Sequence, residues 1–410
     1  MQNILMPEYM KSFRCIGSQC NALCCQLWNV SVDDHFLNQI NAINDNELLF
    51  ILKKSLVIIN DHNNNQIVYI SMNENGRCPF LDHSDLCLIQ KKIGEPFLAS
   101  ICYTYPRVIN CLNGRYELSA VMSCPEIIRK AIFNPNKMVF IENQIPITNQ
   151  TFINKTIDFN TLKDDWHPFL PSIIQLVIEI IQYRNVTIAD RLLLIGFLFQ
   201  KLQDNIDQCN YANLQTVILM YNDLLKNNHV DRISSQLSKN SLVKINTFVN
   251  LTLMRLNAEY SINTDKEKYQ SYVSKILDGI HFQKDSDTQN ILNYEQTLQT
   301  YAKDYFDHHE YIFENYLVNM MFKNVFPIKY SDMTIFEEYC MLIVCYTLLR
   351  FQISAIAGYQ KQINQELIVQ VMSYFSSVVD HDSNYINAMK QQLKDHGMLN
   401  MAYMSILLLE

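Results

Sequence analysis

Glycine and proline are scarce in this chain of 410 residues, which contains 8 glycines and 10 prolines. No Gly, Pro or Ser tract is long enough to form a flexible linker. No Gly-rich loop follows a predicted strand, and Gly17 and Gly76 stand alone, so the usual nucleotide-binding fingerprint is missing. Because 49% of the residues are hydrophobic, these absences predict a compact, soluble and largely helical protein.

The chain also has fewer basic than acidic residues. It contains 33 Lys and Arg residues and 41 Asp and Glu residues, so the formal net charge is -8. Nucleic-acid-binding proteins normally carry a basic excess that neutralises phosphates. We therefore predict no nucleic-acid partner, and a protein partner that presents lysines suits this charge better. The sequence predicts no particular oligomeric state.

Targeting and membrane-spanning segments are missing as well. The first residues contain no basic region followed by an apolar core and a cleavage site, so we predict no secretory signal. The most apolar segment, residues 341–356, is interrupted by Arg350 and Gln352 and is shorter than the ~20 clean apolar residues of a membrane span. We predict a buried helix there, no membrane association and a cytoplasmic location.

Cysteine, by contrast, is abundant: nine of the 12 cysteines precede residue 125. Cys15, Cys20, Cys24 and Cys25 follow one another closely. A free cysteine that only fills a core occurs singly on an apolar face, whereas thiols gathered this closely bind a metal or form disulfides. Thiols stay reduced in the predicted compartment, so we favour a metal site.

The spacing of these cysteines bears on the kind of metal. The run reads C-x4-C-x3-C-C without histidine, unlike the CxxC pairs or Cys and His offsets of structural zinc sites. An iron-sulfur cluster, which takes thiolates from scattered loops, suits it at least as well. Cys20-x3-Cys24 begins like the CxxxCxxC motif of radical S-adenosylmethionine enzymes, but Leu27 occupies the third position and excludes that interpretation. We expect the adjacent Cys24 and Cys25 to point in different directions.

The uneven distribution of cysteine is the best signal of domain organisation. We predict a mainly α protein with a small cysteine-rich, metal-binding domain at residues 1–135, which contains a few short strands, and a helical domain at residues 136–410. Apolar periodicity predicts one or two helices between residues 33 and 60, capped by Asp33 or Asp34, and alternation predicts strands at 66–72 and 115–121. Further helices are predicted at residues 173–181, 192–202, 211–226, 240–257, 266–279, 289–305, 310–322, 335–357, 364–379 and 384–395.

Four cysteine-containing blocks together carry a family resemblance. They are Cys15-x4-Cys20-x3-Cys24-Cys25-x2-Trp28, Cys78-Pro79-Phe80-Leu81 with Leu86-Cys87-x-Ile89, Cys102-x2-Tyr105-Pro106-Arg107, and Ser123-Cys124-Pro125-Glu126. This combination resembles the flagellin lysine-N-methylase family, the FliB type. The early cysteines also resemble the CxxxCxxCC family of zinc- or iron-chelating proteins. The segment Glu314-Asn315-Tyr316-Leu317-x-Asn319, followed by Phe326-Pro327, is similar to the flagellin methylase pattern too.

The resemblance implies a methyltransferase that moves methyl groups from S-adenosylmethionine to lysine side chains of flagellin, the protein of the bacterial flagellum. It also implies a 4Fe-4S cluster, with zinc as the alternative metal. The implied ligands are Cys15, Cys20, Cys24, Cys25, Cys78, Cys87, Cys102 and Cys124. Eight thiols are enough for two four-thiolate sites, or for one cluster with spare thiols. Cys111 has no counterpart in the family pattern.

Residues beside the implied ligands are candidates for catalysis. A lysine amine that accepts a methyl group must be neutral, in line with the sulfonium methyl and shielded from water. We predict that Tyr103, Tyr105 and Glu126 orient the amine or take its proton, and that Arg107 holds the cofactor carboxylate. The alternative for residues 105–107 is a turn whose aromatic ring packs over the metal and whose arginine pairs with a nearby acid.

Other features have simpler interpretations. We interpret Trp28 as a packing lid, Cys340 and Cys345 as core residues, and Asp307-His308-His309-Glu310 as the cap of the following helix. A different class of function is a non-enzymatic module whose cysteines bind zinc or iron and whose helical body docks a protein partner.

Overall fold

The computed structural model describes residues 1–20, 24–25, 30–60, 66–162, 164–230, 233–237, 240–257, 266–329, 332–380 and 382–409. Within these ranges, short strands and helices alternate up to residue 157, and the chain is helical from residue 170 onward. The predicted mainly α fold, with strands near the N-terminus and a helical C-terminal region, is confirmed.

The strands of the described residues are short. They are β1 (Gln2–Pro7), β2 (Val30–Ser31), β3 (Leu56–Asn60), β4 (Gln66–Ile70), β5 (Arg107–Leu112), β6 (Arg115–Ala120), β7 (Phe140–Ile145) and β8 (Ile153–Ile157). One sheet has the order β7-β1-β6-β5-β8, and a second has the order β2-β4-β3. β1 pairs antiparallel with β7 and parallel with β6, so the first strand is held inside its sheet by segments far along the chain.

Helices make up the rest of the regular structure. They are α1 (Asp34–Ile40), α2 (Asn46–Ser55), α3 (Leu88–Lys92), α4 (Ser100–Thr104), α5 (Pro125–Ala131), α6 (Leu170–Ile181), α7 (Ile188–Asp207), α8 (Ala212–Lys226), α9 (Ser241–Asn257), α10 (Lys266–Gly279), α11 (Asp287–Thr297), α12 (Lys303–His308), α13 (Glu310–Asn324), α14 (Ile335–Gln360), α15 (Gln365–Val379), α16 (Ser383–Asp395) and α17 (Met401–Leu408). A π-helical turn, Leu298–Ala302, joins α11 to α12. Every helix predicted beyond residue 170 is present, whereas α17 was not predicted.

The N-terminal predictions have mixed outcomes. Asp33 caps α1 by accepting a 2.9 Å hydrogen bond from the Phe36 amide, as predicted. The helix expected to continue towards residue 60 is wrong beyond Ser55, because the β-branched residues of β3 pair with β4. Both predicted strands are confirmed, as β4 and β6.

Two hydrophobic cores occur in the described residues. A small core contains residues between Val30 and Ala99. The large core joins residues of the five-stranded sheet, such as Ile4 and Leu118, to the C-terminal helices. Because β7 and β8 follow residue 135 and complete that sheet, the sheet continues across the predicted domain boundary, and the boundary itself stays a prediction.

The central helix of the large core is α14. It contacts α7, α10, α15 and α17. Its length and composition would allow it to cross a membrane, yet 83% of its most apolar window is buried inside the protein. The buried helix predicted at residues 341–356 is confirmed, and Cys340 and Cys345 are core residues as predicted.

Helix α13 carries a buried ion network. The Glu314 carboxylate accepts hydrogen bonds from Arg191 Nη1 and Arg184 Nη2, both at 2.8 Å. The side chains of Arg191 and Glu314 are 2% and 1% exposed, so these charges depend on one another. Arg191 Nη2 also binds Glu310 Oε2 at 2.6 Å, which joins α7 to the first turn of α13.

Asparagines further along α13 dock it on the N-terminal region. Asn315 donates to the Asn134 carbonyl at 2.8 Å, and Asn319 donates to the Ala120 carbonyl at 3.1 Å. The Tyr9 hydroxyl donates to Asn319 Oδ1 at 2.6 Å. The block at residues 314–319 that resembles the family pattern is therefore the set of polar contacts that positions this helix.

Glycines let α10 and α14 approach each other closely, and this packing supports a prediction. A Cβ atom on Gly279 would lie 1.8 Å from the Ala355 carbonyl oxygen. Gly279→Ala should therefore force the helices apart and lower the free energy of unfolding by about 3 kcal/mol, measured by urea denaturation. Ser274→Ala, on the exposed face of α10, is the control and should change it by less than about 0.5 kcal/mol. A loss below about 1 kcal/mol for the glycine variant would show that this contact tolerates a methyl group.

Candidate functional site

Turns and helix starts bring the N-terminal cysteines together. The Cys78 amide donates to the Cys25 carbonyl at 2.9 Å, so the segment that contains Cys24 and Cys25 meets the segment around Cys78. Leu81 and Cys87 form a β-bridge, and the Leu88 amide donates to the Phe80 carbonyl at 2.8 Å. These backbone bonds close a tight loop that carries two of the predicted ligands.

Four thiols from four segments influence one another electrostatically. Burial raises the pKa of Cys78 to about 11, and the charges of Cys87 and Cys24 act in the same direction. Burial also raises the pKa of Cys102, with further contributions from Cys78, Cys87 and Cys24. We call Cys24, Cys78, Cys87 and Cys102 the thiol cluster. Its members are sequence-predicted ligands that the fold places close together.

Cys124, Cys20 and Cys25 adjoin the thiol cluster. Burial raises the pKa of Cys124 to about 11, and the charges of Cys20 and Cys24 also raise it. Cys24 Sγ lies 3.9 Å from Cys25 Sγ. The expectation that these adjacent side chains point in different directions is therefore wrong, because the two sulfurs lie in contact.

Backbone amides face several of these sulfurs. Cys87 precedes α3, and the Gln90 and Ile89 amides lower its pKa against the larger effect of burial. The Ile127 and Glu126 amides act in the same direction on Cys124, as does the Phe80 amide on Cys78. Neither Cys87 nor Cys124 accepts a side-chain hydrogen bond that caps the helix it precedes. Amide dipoles that point at a sulfur favour its thiolate form.

The remaining cysteines differ in position. Cys15 is exposed and its charge acts on Arg107. Cys111, which has no counterpart in the family pattern, lies on β5 opposite Tyr116. Cys209 is exposed at the end of α7.

The donor chemistry fits a soft metal or an iron-sulfur cluster, because the side chains that influence one another here are thiols. Across the described part of the chain, however, no three Cys, His, Asp or Glu side chains are arranged so that they could hold a metal ion together. Trp28 lies outside the described residues, so its predicted role as a lid stays a prediction. The metal site itself also stays a prediction.

Tyr105 lies beside the cysteines. Its hydroxyl is 3.1 Å from Ser123 Oγ. Burial raises the pKa of Tyr105, and the charges of Cys24, Cys124 and Cys25 raise it further. The phenol is neutral at physiological pH, so it can donate a hydrogen bond but is a poor proton acceptor. Sequence reasoning quoted Ser123 only as part of a motif and missed its contact with Tyr105.

Arg107 stacks over Phe13, with its guanidinium carbon 5.2 Å from the ring centroid. Burial lowers the pKa of Arg107, whereas Tyr103 and Glu95 act in the opposite direction. Tyr103 and Arg107 are therefore neighbours, as their sequence positions predict. The arginine is half-buried, and both interpretations of this turn stay predictions.

Glu126 lies in the first turn of α5. Its carboxylate is 3.8 Å from Arg129 and 3.5 Å from Lys130. Arg129 also binds Glu366 at 2.8 Å, which ties α5 to α15. Glu126 is thus engaged in ion pairs of its own helix, and its predicted role in proton transfer stays a prediction.

The tetrad at residues 307–310 does not cap α13 with a side chain, because His309 at the N-cap position makes no such bond. His308 and His309 instead contact the carbonyls of Asp304 and Tyr305. Glu310 binds Arg191. The predicted capping role is therefore wrong, and the tetrad spans the junction at which α12 ends at His308 and α13 begins at Glu310.

Comparison with known proteins identifies a family for the helical part of the chain. Residues 175–407 match the family described as the FliB lysine N-methylase C-terminal domain. The chain is 27% identical over 146 residues to the lysine-N-methylase of Salmonella typhimurium (strain LT2), which covers 36% of this chain and 36% of that relative. The same values hold for the lysine-N-methylase of Salmonella choleraesuis (strain SC-B67). The flagellar biosynthetic protein FliU of Salmonella muenchen is 25% identical over 138 residues, which cover 34% of this chain and 82% of FliU.

The matches cover only part of this chain and only part of the two methylases. The alignments with the two methylases span about a third of those relatives, 36% in each case. The family match begins after the last of the N-terminal cysteines. No solved structure matches the chain.

Proposed function

We propose that this chain, which belongs to the FliB lysine N-methylase C-terminal domain family, is a protein lysine N-methyltransferase. The observation that carries the proposal is the family match over residues 175–407. Relatives named lysine-N-methylase support the activity. The relative named flagellar biosynthetic protein supports flagellin as the substrate.

The proposed methyl donor is S-adenosylmethionine. The neutral lysine Nζ attacks the methyl carbon as the carbon-sulfur bond breaks, and S-adenosylhomocysteine leaves. The methylated ammonium then gives up a proton to a base. Such a transfer depends on placing the amine in line with the donor in a site that excludes water.

The thiol cluster is the proposed position of a 4Fe-4S cluster or a zinc ion. Cys24, Cys78, Cys87 and Cys102 would hold it, and Cys15, Cys20, Cys25 and Cys124 are the further candidate ligands. When bound, the metal group would crosslink segments that otherwise depend on a few backbone bonds. The mutual electrostatic effects of these four thiols, and the backbone contact between the Cys25 and Cys78 segments, support this proposal.

Tyr103, Tyr105, Glu126 and Arg107 are the N-terminal candidates for contact with the lysine amine and the cofactor. Of the two roles predicted for Tyr105, orientation of the amine suits a neutral phenol better than proton transfer does. The cytoplasmic location also remains part of the proposal. A location in the same compartment as newly made flagellin suits a modifying enzyme.

Methyl transfer can be tested directly. The purified chain is incubated with flagellin and isotopically labelled S-adenosylmethionine, and tryptic peptides are analysed by mass spectrometry. We expect label on lysine side chains of flagellin, and none when the chain is omitted. A metal-loaded protein that leaves every flagellin lysine unlabelled would favour the non-enzymatic chelating module instead.

The metal site has a matched pair of variants. Cys87→Ser removes a thiol of the cluster and should lower the metal bound per chain at least about tenfold, measured by elemental analysis of anaerobically purified protein. Cys111→Ser removes a thiol of β5 and should leave the metal content unchanged. The same measurement separates iron from zinc. Equal metal content in both variants would exclude Cys87 as a ligand.

A further inference from the structure

A cavity of about 250 Å³ lies in the helical body. It is far larger than the ~10–15 Å³ that one water molecule needs and approaches the size of small-molecule sites. Its walls come from the starts of α7 and α9, the C-terminal parts of α11 and α12, the first residue of α13, the middle of α14 and the end of α17. Seven helices thus contribute to one partly open cavity.

The cavity and the cysteines lie towards opposite ends of α13. Glu310, the first residue of this helix, lines the cavity. Asn319 binds Tyr9, whose pKa is raised by burial and also by the charge of Cys124. Nine residues of helix separate Glu310 from Asn319, or about 14 Å at 1.5 Å per residue. A ligand in the cavity would therefore occupy a site separate from the thiol cluster.

Aromatic side chains form one part of the cavity wall. Phe248, Tyr294, Phe306 and Tyr346 line it, and each of them is less than 6% exposed. Rings held this firmly can contact a flat heterocycle, or a sulfonium through cation-π attraction, with little loss of conformational entropy.

Cationic side chains line the same space. The guanidinium carbon of Arg350 lies 4.4 Å from the Phe306 ring centroid and 5.8 Å from that of Tyr346, so its position is set by rings of the wall. The Lys244 ammonium is buried and donates to the Leu409 carbonyl at 2.6 Å. Guanidinium and ammonium groups at the edge of an aromatic cavity suit a ligand carboxylate.

Acceptors and hydroxyls complete the wall. Glu310 is held by Arg191 and by the Ile188 amide, which donates to Glu310 Oε1 at 2.8 Å. Asp307, Thr187 and Ser234 also line the cavity. Fixed carboxylates and hydroxyls suit the amine and ribose hydroxyls of an adenosyl amino acid.

We propose that this cavity binds S-adenosylmethionine, with the adenosyl group against the aromatic wall and the carboxylate at Arg350 and Lys244. The inference rests on the proposed methyltransferase function. It moves the cofactor from Arg107 to the helical body, where a flat ring, a carboxylate and an amine each meet a matching side chain. Every residue that lines the cavity, except Leu408 and Leu409, lies within the residues matched to the methylase family.

The test measures binding rather than activity. Isothermal titration of the full chain with S-adenosylhomocysteine, the product left after methyl transfer, should give saturable binding. Arg350→Met should raise the Kd at least about tenfold, because a charge-assisted contact with the carboxylate is lost. Arg115→Met, which removes an exposed arginine of β6, is the matched control and should leave the Kd unchanged.

A second variant covers the case in which Arg350→Met does not fold. Ser235 is exposed and lines the cavity, so Ser235→Trp should block the space while circular dichroism shows an intact helical fold. Its Kd should also rise at least about tenfold.

Three results would overturn the inference. They are unchanged affinity in folded Arg350→Met and Ser235→Trp, loss of affinity in Arg107→Met alone, and no binding by the unaltered chain. Methylation of flagellin by the unaltered chain together with any of these results would leave the proposed function standing. Binding in the cavity without methylation would instead overturn the proposed function and leave the cavity assignment intact.

Discussion

The buried contact between Glu314 and the arginines of the α6-α7 region is the interaction on which the rest of the structure depends. Glu314 and Arg191 are almost fully buried, and removing one partner of such a pair typically costs ~3–5 kcal/mol. The same arginine holds Glu310 in the cavity wall. Asn319 docks the other half of the helix on the sheet. Helix α13 therefore contributes to the wall of the proposed cofactor cavity at one end and contacts the cysteine-containing N-terminal region further along.

The helical body could be predicted from sequence because each helix carries its own apolar period. The sheet could not, since β1 gains its partners only when distant segments return to it. The hairpin of β5 and β6 is the exception, because it has a local signal: Asn113 and Gly114 both adopt positive φ in the turn between the two strands, the geometry that this dipeptide favours. The short α17 is apolar without a clear period, so no pattern marked it.

The two candidate sites, the thiol cluster and the cavity, also differ in how far the sequence predicts them. The density of cysteines predicts thiol chemistry from the sequence, but only the fold shows that Cys24, Cys78 and Cys87 lie near enough to Cys102 to raise its pKa. The cavity has no sequence signal at all, because its wall is drawn from seven helices that are apart in the chain. Residues 307–310 illustrate this, because Asp307 and Glu310 of this polar tetrad line the cavity.

The proposed account separates the two halves of the chemistry, with the methyl donor in the helical body and the metal in the N-terminal region. Ultraviolet crosslinking of methyl-labelled S-adenosylmethionine to the full chain, followed by peptide mapping, tests this separation most directly. The account predicts label in peptides between residues 187 and 409, around the cavity wall. Label confined to peptides between residues 15 and 126, around the cysteines and Glu126, would contradict it.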